Sequence, residues 1–184
     1  MLFLFIATAV AFRFAMLVVS MRNESALRKD GAVEYGERNS RWLALAHIAF
    51  YVAASIEGIA RAASFDPITI MGLILYVFGV GMLLGVSHLL GRLWTVKLMI
   101  ARNHVLVKHP LFRWVRHPNY YLNILPELVG FALVLRAYFT LVVGLAIYAV
   151  PLAIRIFQEE KTMREHFPGY RPERTAARAE RARP

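Results

Sequence analysis

The chain alternates long apolar runs with short polar, basic segments, and that alternation predicts its architecture. Apolar runs of about 20 residues, the length that crosses a bilayer, occupy residues 2–21, 42–63, 68–90, 119–135 and 137–157. Few polar groups interrupt them: Arg13 in the first, His47 and Glu57 in the second, Pro126 and Glu127 in the fourth. Pro151 is expected to break the fifth mildly. The third carries Gly72, Gly79, Gly81 and Gly85, small residues that let helices approach closely. Arg136 alone separates the last two runs and marks a tight turn. The pattern is that of an all-α integral membrane helical bundle with about five transmembrane helices. The first run has no basic segment before it and no small-residue cleavage pattern after it, so it is expected to be a retained span rather than a cleaved signal peptide.

Charge orients the bundle. The segment 22–41 holds five basic residues, the segment 92–116 six and the tail from Lys161 onward seven, whereas the two opposite turns offer only Arg61 and Arg136. Five spans place all three basic segments on one side, which the positive-inside rule makes cytoplasmic. The amino terminus then faces outward. Residues 1–172 are expected to form one membrane domain, followed by a basic surface tail over 173–184.

Composition agrees. The chain is 58% hydrophobic, with mean hydropathy +0.48, above the 45–50% apolar content of soluble domains. The net charge of +10 is accounted for by basic flanks, so nucleic acid is not an expected partner. No cysteine is present, which excludes disulfides, thiolate nucleophiles and cysteine-ligated metals. The six histidines show no zinc-type spacing, and no metal site is expected.

Candidate chemistry concentrates where two spans begin and end. Residues 104–120 are too polar and too interrupted for a span, and Pro110 and Pro118 forbid one continuous helix. Such a segment beside a membrane is stable when buried in protein or lining a cavity. Pro118 suits the first turn of the next helix, which puts His117 at a helix N-terminus, where backbone N–H groups favour an anion. Arg155 and Glu159 are spaced i, i+4 and share one face at the end of the last span; Glu160 is expected to point away from it. A cationic ligand with an amino-acid end and a ribose would match this set. His117 would take a carboxylate, Glu159 the ribose hydroxyls or the positive end. Val105, Leu106, Val107, Phe112 and Tyr120 would enclose a flat base. Glu57, Glu127 and His47, rare inside spans, either line a substrate cavity or pair with Arg13 or one another to hold the bundle together.

These residues carry a resemblance. L-V-x-x-x-L-F-R-W-V-R-H-P-N-Y over 106–120, then R-x-x-x-E-E over 155–160 and F-P-G-Y-R over 167–171, resemble the isoprenylcysteine carboxyl methyltransferase family of membrane enzymes, over a core of about 97–170. The resemblance implies S-adenosylmethionine as cofactor, with S-adenosylhomocysteine as product. It places cofactor contacts on Lys97, His104, Val105, Leu106, Val107, His117, Pro118, Asn119, Tyr120 and Glu159, and a substrate-side arginine on Arg155. Phe112 stands where the family often has tyrosine, and Leu122 where it often has glycine. Upstream, R-N-E at 22–24, G-A-V-E-Y-G at 31–36, His47 and G-R-L-W-T at 91–95 are similar to a bacterial branch that acts on alkylpyrones and alkylresorcinols.

The resemblance implies methyl transfer from a sulfonium to an oxygen of a lipophilic acceptor: an alkylpyrone, a phenolic lipid or an isoprenylcysteine. The cofactor carries the reactive chemistry and the protein positions it. Arg155 is the first choice to hold the acceptor oxygen, and Arg92, at the end of the third span, the second. Membrane lipid is an expected partner, and the glycine-bearing third span offers a face for a homodimer. Two alternatives stand beside this reading. Membrane sterol reductases that use NADPH carry a similar R-H-P-N-Y, with more spans than five; a small membrane scaffold would bind no cofactor.

Overall fold

A computed structural model describes residues 2–61, 66–100 and 109–167. Its elements are α1 (Leu2–Lys29), β1 (Val33–Tyr35), α2 (Glu37–Ala60), α3 (Pro67–Leu90), β2 (Leu98–Ile100), α4 (Pro110–Trp114), α5 (Leu125–Val134) and α6 (Leu145–His166). A π-helical segment leads into each of the last two helices, Asn119–Ile124 before α5 and Thr140–Gly144 before α6. Among the described residues, four helical stretches are long and apolar enough to cross a membrane: Leu2–Lys29, Glu37–Ala60, Pro67–Leu93 and Thr140–His166. The protein is an integral membrane helical bundle.

The expected fourth span, 119–135, differs in kind. It forms six residues of π-helix and ten of α-helix, short of the length that spans a bilayer unaided. It needs no lipid-facing girdle because it runs through the centre of the protein. Leu128, Phe131, Ala132 and the carboxylate-bearing Glu127 are fully buried. Glycines on both sides permit this. A Cβ on Gly72 would lie 2.7 Å from the Val134 nitrogen, and one on Gly79 would lie 2.8 Å from the Glu127 nitrogen. Gly81 and Gly85 face open space, so only part of the third span's glycine pattern serves this helix contact.

The helices still alternate in direction. Glu57, near the end of α2, accepts from the backbone N–H groups of Phe139 (3.1 Å) and Thr140 (2.8 Å), capping the start of the last helix with a negative charge. The same end holds Arg136, the turn residue, at a left-handed φ of 53°. Arg136 pairs at 2.9 Å with Asp66, the N-cap of α3. At the opposite end gather the finish of α1, the start of α2, the finish of α3, the start of the α5 segment and the finish of α6. There β1 and β2 pair antiparallel, Val33 opposite Ile100, and Asn23 donates to the Trp94 carbonyl at 2.8 Å. Pro151 does not interrupt α6; Asn39 on α2 donates to the Pro151 carbonyl at 3.0 Å.

The intramembrane charges are paired. Glu127 accepts from Arg13 on α1 and from the Tyr51 hydroxyl on α2, so three helices meet on one carboxylate, and His47 stacks on Tyr51. For Glu127 this is the bundle-holding alternative of the two that the sequence left open. Outward, Phe14, Trp42, Ile74, Val142 and Phe157 are exposed, the covering a bilayer requires.

Candidate active site

The end of the bundle that collects the basic segments also collects the candidate chemistry. Val115 leaves α4 in an extended conformation, and the next helix starts on the His117 carbonyl, which accepts from the N–H groups of Tyr120 (3.0 Å) and Tyr121 (3.1 Å). Pro118 therefore sits in the first turn, as expected, where its missing N–H costs nothing. The turn then widens: the Leu125 N–H donates to the Tyr120 carbonyl. Such π-turns recur at functional sites.

From this start and the end of α6 a continuous network is built. His117 Nδ1 lies 3.3 Å from Glu159 Oε1 and its Nε2 lies 3.2 Å from Glu160 Oε1. The Tyr120 hydroxyl donates to Glu159 Oε2 at 2.6 Å and accepts from Arg155 Nε at 3.2 Å. Tyr120 thus stands between Arg155 and Glu159, and its ring stacks on that of His117. The other guanidinium nitrogens of Arg155 donate to Ser40 Oγ (2.8 Å) and the Val96 carbonyl (2.9 Å). The Val96 N–H donates in turn to Ser20 Oγ at 2.9 Å. Arg155 is 3% exposed, and its guanidinium is held by three other segments through Tyr120, Ser40 and Val96. The Ser40 and Val96 that hold it also line a cavity of about 810 Å³ between α1 and α2.

Burial pulls the His117 pKa down, but the hydrogen bonds and charges of Glu159 and Glu160 outweigh it and hold the imidazole above its ordinary value. A pKa raised on folding stabilises the fold fully below the unfolded value of about 6.5 and is lost as pH rises through the folded value. The melting temperature is therefore expected to fall as pH is raised from about 6 through that value, by about 2–4 °C per kcal/mol lost. In His117→Asn the slope over that window is expected to flatten; scanning fluorimetry across the pH range checks it, and an unchanged slope would contradict the assignment.

The remaining expected site residues divide. Glu160 does not point away: its side chain is 13% exposed and reaches His117 and Arg164. His117 lies over the helix face between the two glutamates and meets both. Arg92 is not in the network; it is exposed and pairs with Asp30 at 2.9 Å, because the turn Gly91–Leu93 directs it to the end of α1. Lys97 pairs with Glu24 (2.8 Å) and Glu34 (3.3 Å) rather than with the His117 cluster. The side-chain amides of Asn119 and Asn123 face each other at 3.0 Å. Phe112 is half-buried on α4. His104, Val105, Leu106 and Val107 lie outside the described residues, as does the tail over 173–184. Among the described residues no cluster of His, Asp and Glu could hold a metal ion. The sequence reading missed Ser20, Ser40 and the Val96 carbonyl.

Residues 72–165 match the model of the isoprenylcysteine carboxyl methyltransferase family. The chain belongs to that family. The match covers most of α3, the R-H-P-N-Y turn, α5 and the Arg155–Glu160 face, so His117, Tyr120, Arg155 and Glu159 lie inside the family's own unit while Ser20 and Ser40 lie before it. An uncharacterized protein of Haemophilus influenzae is 46% identical over 162 residues, 88% of this chain and 94% of its own length. The uncharacterized protein YpbQ of Bacillus subtilis is 32% identical over 168 residues, 90% of this chain and 98% of its own. No solved structure matches. Membership makes this chain a membrane protein of a methyltransferase family.

Proposed function

We propose that the protein transfers the methyl group of S-adenosylmethionine to an oxygen of a lipophilic acceptor. The observation that carries the reading is the Glu159–His117–Tyr120–Arg155 network, set where a pass of the bundle begins and the last one ends. Its donor set fits the cofactor. Two carboxylates, Glu159 and Glu160, suit ribose hydroxyls and an ammonium, while the raised imidazole of His117 and the helix start beside it suit a carboxylate. When bound, S-adenosylmethionine supplies a methyl group on a sulfonium, an electrophile that needs positioning more than activation.

This chain's residues supply the positioning. Glu159 accepts from the Tyr120 hydroxyl at 2.6 Å, which fixes one of its oxygens. His117 lies between the two acids, which hold its pKa above the ordinary value. Arg155 holds a fixed cation at the junction of the network with the α1–α2 cavity, where it would receive an acidic or ionised acceptor oxygen. An enolate or carboxylate is already an anion at neutral pH; for a phenol, a cation alongside lowers the pKa. The acceptor class that fits the bacterial pattern at residues 22–36 and 91–95 is an alkylpyrone or phenolic lipid, ahead of an isoprenylcysteine. The positive-inside rule supports a cytoplasmic placement of the basic end, with the amino terminus outside.

Titration of the purified protein with S-adenosylhomocysteine and, separately, NADPH tests the reading. Saturable binding of S-adenosylhomocysteine with no NADPH binding is expected. The reverse result would replace the methyltransferase by a reductase, and binding of neither would replace it by a scaffold.

A further inference from the structure

Glu127 has a third neighbour besides Arg13 and Tyr51. Asn123, one turn earlier in the segment and 1% exposed, lies between Glu127 and Asn119. Its surroundings allow one amide orientation. The nitrogen lies 3.1 Å from Glu127 Oε2 and 3.2 Å from the Gly79 carbonyl, and both of these can only accept. The Gly79 backbone comes this close because the residue has no side chain; a Cβ there would lie 3.0 Å from the Asn123 carbonyl. The Asn123 oxygen then faces the Asn119 amide at 3.0 Å, so Asn119 presents its nitrogen inward. Its own oxygen is left as the outer end of the row. Asn119 is half-exposed and opens the π-helical segment between Pro118 and Tyr120. Its outer end has no partner among the described residues.

A row of amides between neutral ends can run in either sense. Here the sense is fixed from inside. The Glu127 carboxylate, paired with Arg13, takes only hydrogen-bond donors, so each amide in turn points its nitrogen inward and its oxygen outward. Glu127, Asn123 and Asn119 follow one another at i, i+4 spacing and share one face. The row therefore runs from the interior of the bundle to the helix start beside His117. Resting on the proposed methyl transfer, the geometry points to Glu127 as a positioning residue for cofactor recognition. Through Asn123 it holds Asn119 as a hydrogen-bond acceptor for an N–H donor of S-adenosylmethionine. Glu159 and Glu160 match the ribose hydroxyls and the ammonium, so the donor left for Asn119 is the exocyclic amine of adenine. The intramembrane ion pair thus serves the choice of base as well as the packing of the bundle.

Two ligands separate this role from a purely structural one: S-adenosylhomocysteine, and S-inosylhomocysteine, which carries an oxo group in place of the adenine amine. Calorimetry in detergent reads the affinity for each. Wild-type protein is expected to prefer the adenine ligand by about 30-fold, since the analogue loses a hydrogen bond and sets an acceptor against an acceptor. Arg13→Met combined with Glu127→Gln removes both charges, so that neither is left buried alone, and frees the row to turn. The preference is then expected to fall to about threefold. Asn123→Leu cuts the row and leaves the ion pair; it is expected to give the same fall, and it carries the test if the double variant does not fold. Asn119→Leu, at the half-exposed end, is expected to match them. A structural ion pair would lower the melting temperature, or weaken both ligands equally, and leave the ratio intact; that result would overturn the proposal. So would a loss of preference confined to Asn119→Leu, or a wild-type protein that binds both ligands equally. Binding of neither ligand by the wild type would instead overturn the methyltransferase reading, so the two failures are distinct.

Discussion

Replacing Glu159 by alanine is expected to weaken binding of S-adenosylhomocysteine by about 100-fold. Glu159 receives the Tyr120 hydroxyl at 2.6 Å and faces His117 at 3.3 Å, so its two oxygens are fixed before any ligand arrives. Hydrogen bonds to a charged group contribute about 1.5–3 kcal/mol each, and every 1.4 kcal/mol is a factor of ten. Two bonds from ribose hydroxyls or an ammonium account for the loss. Glu159→Gln keeps the shape and one acceptor, and a loss of roughly tenfold is expected. Calorimetry in detergent reads both, with the melting temperature measured alongside to separate lost binding from lost folding. Wild-type affinity in Glu159→Ala would remove the acid from the cofactor site.

Arg155→Ala should lower turnover by about 10²–10³, the size of effect seen when a single preorganised donor to a reacting oxygen is removed, while S-adenosylhomocysteine affinity changes little. Three of the five guanidinium N–H donors go to Tyr120, Ser40 and Val96, so the charge is held without a rotamer to freeze and donors are left for the reacting oxygen. Arg155→Lys retains the charge but not the planar fork; it is expected to restore less than about a tenth of the loss. The split between turnover and affinity identifies the role. A purely structural arginine would depress both together, and Ser40→Ala, which removes one positioning contact, is expected to move turnover in the same direction by a smaller factor.

Much of this arrangement could be read from the sequence because its signals are local. Run length and the basic segments located the passes, and Pro118 and Arg136 marked a helix start and a turn that the structure holds at those residues. The fourth pass was legible in position but not in kind. A run of apolar residues does not distinguish a lipid-facing helix from one buried among its neighbours; what distinguishes it is the fit of Gly72, Gly79 and Gly130 against facing backbone. Helical spacing grouped Arg155 with Glu159 yet set Glu160 aside, because spacing describes one helix, and His117 arrives from another with an acceptor or donor on each edge of its ring. The support of Arg155 left no pattern at all. Ser40 is 115 residues away in the chain, a serine in the first turn of a helix like many others. Arg92 was a reasonable second cation by its place at a span's end, but a turn decides where such a side chain points, and this turn aims it at Asp30.

The His117–Glu159 network lies in a family of methyltransferases, and we propose that this chain moves a sulfonium methyl to a lipophilic oxygen through it. The most direct test gives the purified protein in liposomes S-adenosylmethionine with a labelled methyl group and a hydroxypyrone bearing a pentadecyl chain. Label is expected in the organic extract as the methoxy pyrone with wild-type protein, and is expected to be lost in Glu159→Ala and Arg155→Ala. Label in no lipophilic acceptor, whether pyrone, alkylresorcinol or prenylated cysteine, or undiminished transfer in Glu159→Ala, would contradict it.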